Sequence, residues 1–153
     1  MRPLLAKLLK RQVTVRLHEA AVALIQESAV RAAPAETGGI LLGWWEAGTI
    51  VIDAAVEVVD DSATGNSWTR REAAAQNALD AALNEAKNRD LGYVGDWHCH
   101  PAPVGASRTD LKSLSRSSVQ YQNPLALLVR LPDSTVRVYA ADHGILVDVQ
   151  LNP

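Results

Sequence analysis

The stretch Tyr93-Val94-Gly95-Asp96-Trp97-His98-Cys99-His100-Pro101 reads as a β-strand stopped by a proline. Tyrosine, valine and tryptophan suit a pleated, half-buried surface, and Pro101 cannot donate to a sheet ladder. Side chains two apart on a strand share a face. That rule puts Val94, Asp96, His98 and His100 on one side, with Tyr93, Trp97 and Cys99 on the other. The apolar bulk of the second face turns it towards the core, so the two imidazoles point together into a cleft or solvent. Thiolates are strong zinc ligands, but alternation aims the sulfur of Cys99 away from the imidazoles, and it reads as a small packed residue.

Working outwards, the elements alternate between the two periods. Residues 17–31 carry Leu17, Ala20, Ala21, Leu24 and Ile25 at helical spacing until Pro34 intervenes. Residues 36–45 and 49–59 are β-rich runs around a turn at Glu46-Ala47-Gly48. A polar loop over 60–67 contains Gly65-Asn66, and Thr69 with Glu72 forms a capping box that opens a second helix with Leu79, Leu83 and Ala86 buried. Beyond the histidine strand, a helix runs from Ser107 to about Gln120. Strands follow at 125–131, 135–139 and 144–151, with turns at Pro132-Asp133 and Asp142-His143-Gly144. The expected architecture is a single α+β domain over residues 1–153, a mixed, mostly antiparallel sheet flanked by helices.

Composition agrees with one globular domain. The 153 residues are 48% hydrophobic and 21% charged, enough apolar material for a sizeable core. A net charge of -2 supplies no general attraction for nucleic acid. The single cysteine excludes an intrachain disulfide framework and fits a reducing compartment. No apolar run reaches the length of a membrane span. Residues 1–12 read as an N-terminal extension. Within it Leu4, Leu5, Leu8 and Leu9 line one face of a short basic helix, while Val13 and Val15 read as the start of folded structure. A cytosolic location with no membrane partner is the expectation.

The chemistry gathers around the histidines. Two histidines and one carboxylate, with water in the fourth place, form a common catalytic zinc set, and Asp110 is the candidate third ligand beside His98 and His100. Such a site needs a separate proton shuttle, for which Glu36 is the candidate. Ser107 is placed to hydrogen-bond a substrate carbonyl oxygen as charge develops on it. Ser107-x-x-Asp110 is also a helix-capping pattern, and the two readings do not compete. The run Glu36-Thr37-Gly38-Gly39-Ile40-Leu41-Leu42-Gly43 places paired glycines in an apolar strand, which implies close approach by another backbone, either a neighbouring helix or a substrate peptide. Trp44, Trp45 and Trp68 are core or partner-contact candidates.

Glu36-x-Gly38-Gly39-x-Leu41-x-Gly43, then Gly95-x-Trp97-His98-x-His100-Pro101, then Ser107-x-x-Asp110 resembles the JAMM motif of the JAB/MPN metalloprotease family, in its stand-alone bacterial form. The resemblance implies an MPN/JAB-like domain in which His98, His100 and Asp110 bind zinc, Glu36 is the general acid/base and Ser107 supports the tetrahedral intermediate. It implies hydrolysis of peptide or isopeptide bonds after the C-terminal tail of a ubiquitin-like protein, by deconjugation or precursor processing, in bacterial conjugation, sulfur-carrier or antiphage defence systems. Residues 101–106 are one residue shorter than the family's usual spacing, and Cys99 stands where a serine is common. The competing readings are a catalytically silent scaffold of the same type and a small-molecule amidohydrolase. Silent members generally lack a ligand, and none is missing here. A zinc nucleobase deaminase needs a paired-cysteine half-site that one cysteine cannot supply.

Overall fold

Strand β2 (Gly38–Glu46) is buried from Gly38 to Gly43, and β5 (Leu125–Arg130) at every position but its last. Runs apolar on both faces belong in the middle of a sheet covered on both sides. In the computed structural model, which describes residues 11–59 and 72–152, they are covered in that way. The remaining elements are β1 (Gln12–Leu17), α1 (Glu19–Ala32), β3 (Thr49–Glu57), α2 (Glu72–Glu85), β4 (Gly92–Cys99), α3 (Arg108–Ser118), β6 (Val136–Asp142) and β7 (Ile145–Asn152). The basic stretch within residues 1–10, the polar loop at 60–67, Trp68 and the Thr69 half of the capping box lie outside the described residues.

The seven strands run β1-β3-β2-β4-β5-β6-β7 and close into a barrel. This corrects the open, helix-flanked α+β sheet expected from sequence. The closing element is β1, which pairs in parallel with β3 on one side and with β7 on the other, Gln12 opposite Asp148 and Arg16 opposite Asn152. Pairings between the two ends of a chain leave no local trace in composition or periodicity, so the sequence shows folded structure at Val13 and Val15 without showing its partners. Parallel ladders join β1–β3, β1–β7 and β4–β5, and the other four are antiparallel. Closure satisfies backbone groups that an open sheet leaves at its edges.

Three apolar clusters hold the arrangement. Ala21, Ile25 and Ala29 of α1 pack with Val15, Leu41, Ile52, Val94, Trp97 and Leu128, residues drawn from five strands. On the opposite side of the sheet, Ile40 and Leu42 meet Ala75 of α2, and Leu125, Leu127 and Val129 meet Leu114 of α3. Trp45 packs against both the α1 and α3 clusters and donates its indole N–H to the Pro124 carbonyl at 2.8 Å. Trp44 instead donates to Glu46 at an exposed position.

The paired glycines of β2 find their close neighbour within the sheet. A Cβ on Gly39 would fall 1.8 Å from the Val56 carbonyl oxygen of β3 and 2.8 Å from the Trp97 indole nitrogen. The backbone that crowds this position is an adjacent strand, where the sequence reading offered a helix or a substrate.

Candidate metal centre

The histidines sit where β4 leaves the sheet. His98 lies between Gly38 of β2 and Val129 of β5. Beyond it, the Cys99 amide donates to the Thr37 carbonyl and the His100 amide to the Arg130 carbonyl, both at 2.9 Å. The backbone carrying both imidazoles is thereby gripped from two sides before Pro101 ends the ladder.

One part of the alternation is corrected. The β2–β4 register slips between Leu41 and Leu42, so Val94 is an extra residue in β4, and Gly95 adopts φ 151°. Such a bulge reverses alternation upstream of itself. Val94 consequently joins Trp97 and Cys99 in the core, while Tyr93 moves to the side of the histidines and donates its hydroxyl to Asp96 at 2.9 Å. Tyr93 is a cleft residue that the strict period of two missed. The glycine inside the strand was the available signal.

Cys99 is 6% exposed within the barrel core. Burial pushes its thiol up to about 11, against the pull of Arg130.

Asp110 and Ser107 come from the start of α3. The Ser107 hydroxyl accepts the Asp110 amide at 3.0 Å, and Asp110 Oδ2 accepts the Ser107 amide at 2.8 Å, a complete capping box. The same Oδ2 lies 3.5 Å from Nε2 of both His98 and His100, whose nitrogens are 2.9 Å apart. Burial alone would raise the Asp110 pKa. Hydrogen bonds to His98 and the Ser107 backbone outweigh it and hold the carboxyl well below the usual carboxylate range. The aspartate is therefore an anion at neutral pH.

Among the described residues, His98, His100 and Asp110 form the group of convergent metal-type donors, all within 4.8 Å of one another. Four-coordinate zinc with bonds of about 2.0–2.1 Å places its ligand atoms about 3.3–3.4 Å apart, close to the spacing found. His100 Nδ1 donates to the Val104 carbonyl at 2.8 Å. That bond assigns the proton to Nδ1 and leaves the Nε2 lone pair facing the carboxylate, the usual outer-shell device of a ligating histidine. Three donors of this chemistry at this spacing fit a divalent metal ion.

Glu36, preceding β2, lines the same cleft of about 770 Å³ as His98, His100, Ser107 and Asp110. Burial raises the Glu36 pKa, opposed by the fields of His98 and His100 and assisted by that of Asp110. Its neighbour Thr37 is tied down, the hydroxyl donating to Glu57 Oε2 at 2.6 Å while Arg31 of α1 donates to Oε1 at 2.7 Å. All five candidate residues thus share one cleft, brought there from three separate parts of the chain.

The fold is a closed mixed barrel in which β4 ends in a cluster of two histidines and one carboxylate, with a glutamate lining the same cleft. The chain belongs to the prokaryotic homologs of the JAB domain, whose family model matches residues 18–141. It is similar in fold to the solution structure of protein DSY2949 from Desulfitobacterium hafniense, with a TM-score of 0.65 at 14% identity over 90% of this chain and 92% of that one. No curated protein matches the chain. Among the described residues, no helix is long and apolar enough to cross a membrane.

Proposed function

We propose that this domain is a zinc-dependent peptidase or isopeptidase that hydrolyses the amide bond after the C-terminal tail of a ubiquitin-like protein. The observation that carries the reading is the convergence of His98, His100 and Asp110 with Glu36 in the same cleft. His98, His100 and Asp110 would hold a zinc ion, which would supply Lewis-acid activation of water and of the scissile carbonyl.

The chain's own residues supply the rest. Glu36, its carboxyl raised by burial, takes a proton from the attacking water and returns it to the leaving amine. The Ser107 oxygen accepts the Asp110 amide, which leaves its O–H to donate to the developing oxyanion. Asp110 stays ionised and cannot compete with Glu36 for the proton.

The substrate tail lies extended along the cleft and adds to a strand edge next to residues 60–68. The β1 ladder on β3 stops at Ile52, so the half of β3 leading to that segment lacks a β1 partner. Replacing residues 60–68 by a glycine-serine linker is expected to raise KM for the ubiquitin-like substrate and leave zinc content unchanged.

The test is metal analysis of the purified protein, with cleavage of a ubiquitin-like protein fused through its C-terminal glycine to a reporter amine. One zinc per chain is expected, with cleavage abolished in Glu36→Ala and His98→Ala and zinc retained in the first. Folded protein that takes up no zinc overturns the proposal.

A further inference from the structure

We propose that Tyr139, on β6 and outside the ligand set, is a positioning residue for the metal centre, acting through the loop that joins His100 to Ser107. The inference rests on the metal-site reading above and concerns how that site is kept in shape.

Two of the three ligands depend on this loop. His100 is oriented by the carbonyl of Val104, a residue 58% exposed whose side chain packing cannot hold it in place. Asp110 is oriented by the amide of Ser107. Both groups lie within two residues of Ala106, and the Ala106 amide donates to the Tyr139 hydroxyl at 3.0 Å. The neighbouring Gly105 runs across the tip of the same phenol, where an added Cβ would stand 2.3 Å from the hydroxyl and 3.0 Å from Arg137 Nη1. Gly105 and Tyr139 are therefore fitted to each other.

His98 lies inside the ladder between β2 and β5, whereas His100, its backbone also held, takes its ring bond from the loop at Val104. The hydroxyl of Tyr139 thus sets His100 and Asp110 relative to a fixed His98. In a loop of six residues there is little slack to absorb its loss. The ring itself packs with Leu114 and Leu127, so a phenylalanine keeps the packing and removes only the anchor.

The experiment compares wild type, Tyr139→Phe, Gly105→Ala and the double variant in zinc competition against a chromophoric chelator. Thermal unfolding and amide hydrogen exchange of the metal-free proteins accompany it. Tyr139→Phe is expected to weaken zinc about 10-fold, the lower end of what losing a direct outer-shell partner costs, because Tyr139 acts one bond further out. Its metal-free midpoint moves by only on the order of a few degrees. Exchange at Ala106 accelerates while that at Cys99 does not. Gly105→Ala weakens zinc as well, and the double variant loses less than the product of the two, because removing the hydroxyl relieves the closest contact and leaves only the flexible Arg137 side chain to yield.

Zinc binding by Tyr139→Phe within about twofold of wild type overturns the inference and leaves the metal reading standing, as does strictly multiplicative behaviour in the double variant. A wild-type protein that takes up no zinc overturns both.

Discussion

Asp110 uses a single oxygen for two purposes: Oδ2 accepts the Ser107 amide at 2.8 Å and faces Nε2 of His98 and His100 at 3.5 Å. Helix capping and convergence on the two histidines, which the sequence offers as parallel readings of Ser107-x-x-Asp110, are one structural feature. Variants can separate them. Asp110→Asn keeps an acceptor for the Ser107 amide but loses the charge, so metal-free stability is expected to fall by less than about 1 kcal/mol while zinc uptake is lost. Ser107→Ala removes a cap worth about 0.5–2 kcal/mol and leaves zinc bound. Chemical denaturation with chelator competition reads both quantities.

Gly95 is expected to be intolerant of any side chain. It adopts φ 151°, and a Cβ there would lie 1.9 Å from the Ala126 carbonyl oxygen. Gly95→Ala should destabilise the fold by about 3 kcal/mol or more, the upper end for overpacking, because backbone rather than a flexible side chain has to yield. Urea unfolding measures it. Gly95 and His98 share the ladder on β5, so any folded fraction is expected to bind zinc more weakly than wild type.

Thr37 is 5% exposed and donates to Glu57, whose other oxygen is held by Arg31. Thr37→Val keeps the shape and removes the donor from a largely buried carboxylate. The expected loss is about 1.5–3 kcal/mol, the range for a hydrogen bond to a charged group, read from the urea midpoint. Thr37→Ser is expected to recover most of it.

Cys99 should be inert in the folded protein. With its thiol pushed up to about 11 and its side chain in the barrel core, only about one molecule in a thousand carries the thiolate at pH 8. Alkylation by iodoacetamide is therefore expected to follow the rate of opening rather than intrinsic reactivity, and to become fast in denaturant. Labelling that proceeds in native buffer at the rate of a free thiol would place the side chain outside the core.

The clustering of the candidate site residues was legible because its geometry is short-range. His98 and His100 share a face through the period of two, and Ser107 and Asp110 meet through one turn of helix, so residue spacing alone brings each pair together. The glycines of β2 announced a crowded backbone without naming the neighbour, since Gly39 meets Val56 from another strand. Tyr93 and Val94 exchanged sides because a bulge is a local break in the rule used to place them. Tyr139 carried no signal at all, as its role depends on a loop remote from it in the chain.

Sequence by itself marked every described element except the closing strand β1, together with the chemistry-bearing residues, because periodicity and capping act over a few bonds. Tertiary structure alone decided that the sheet closes, with Gln12 opposite Asp148, and that Glu36 lines the cleft of His98 and Asp110. Those outcomes depend on ladder pairing and burial between distant segments, whose free energies reside in the contact and not in either segment separately.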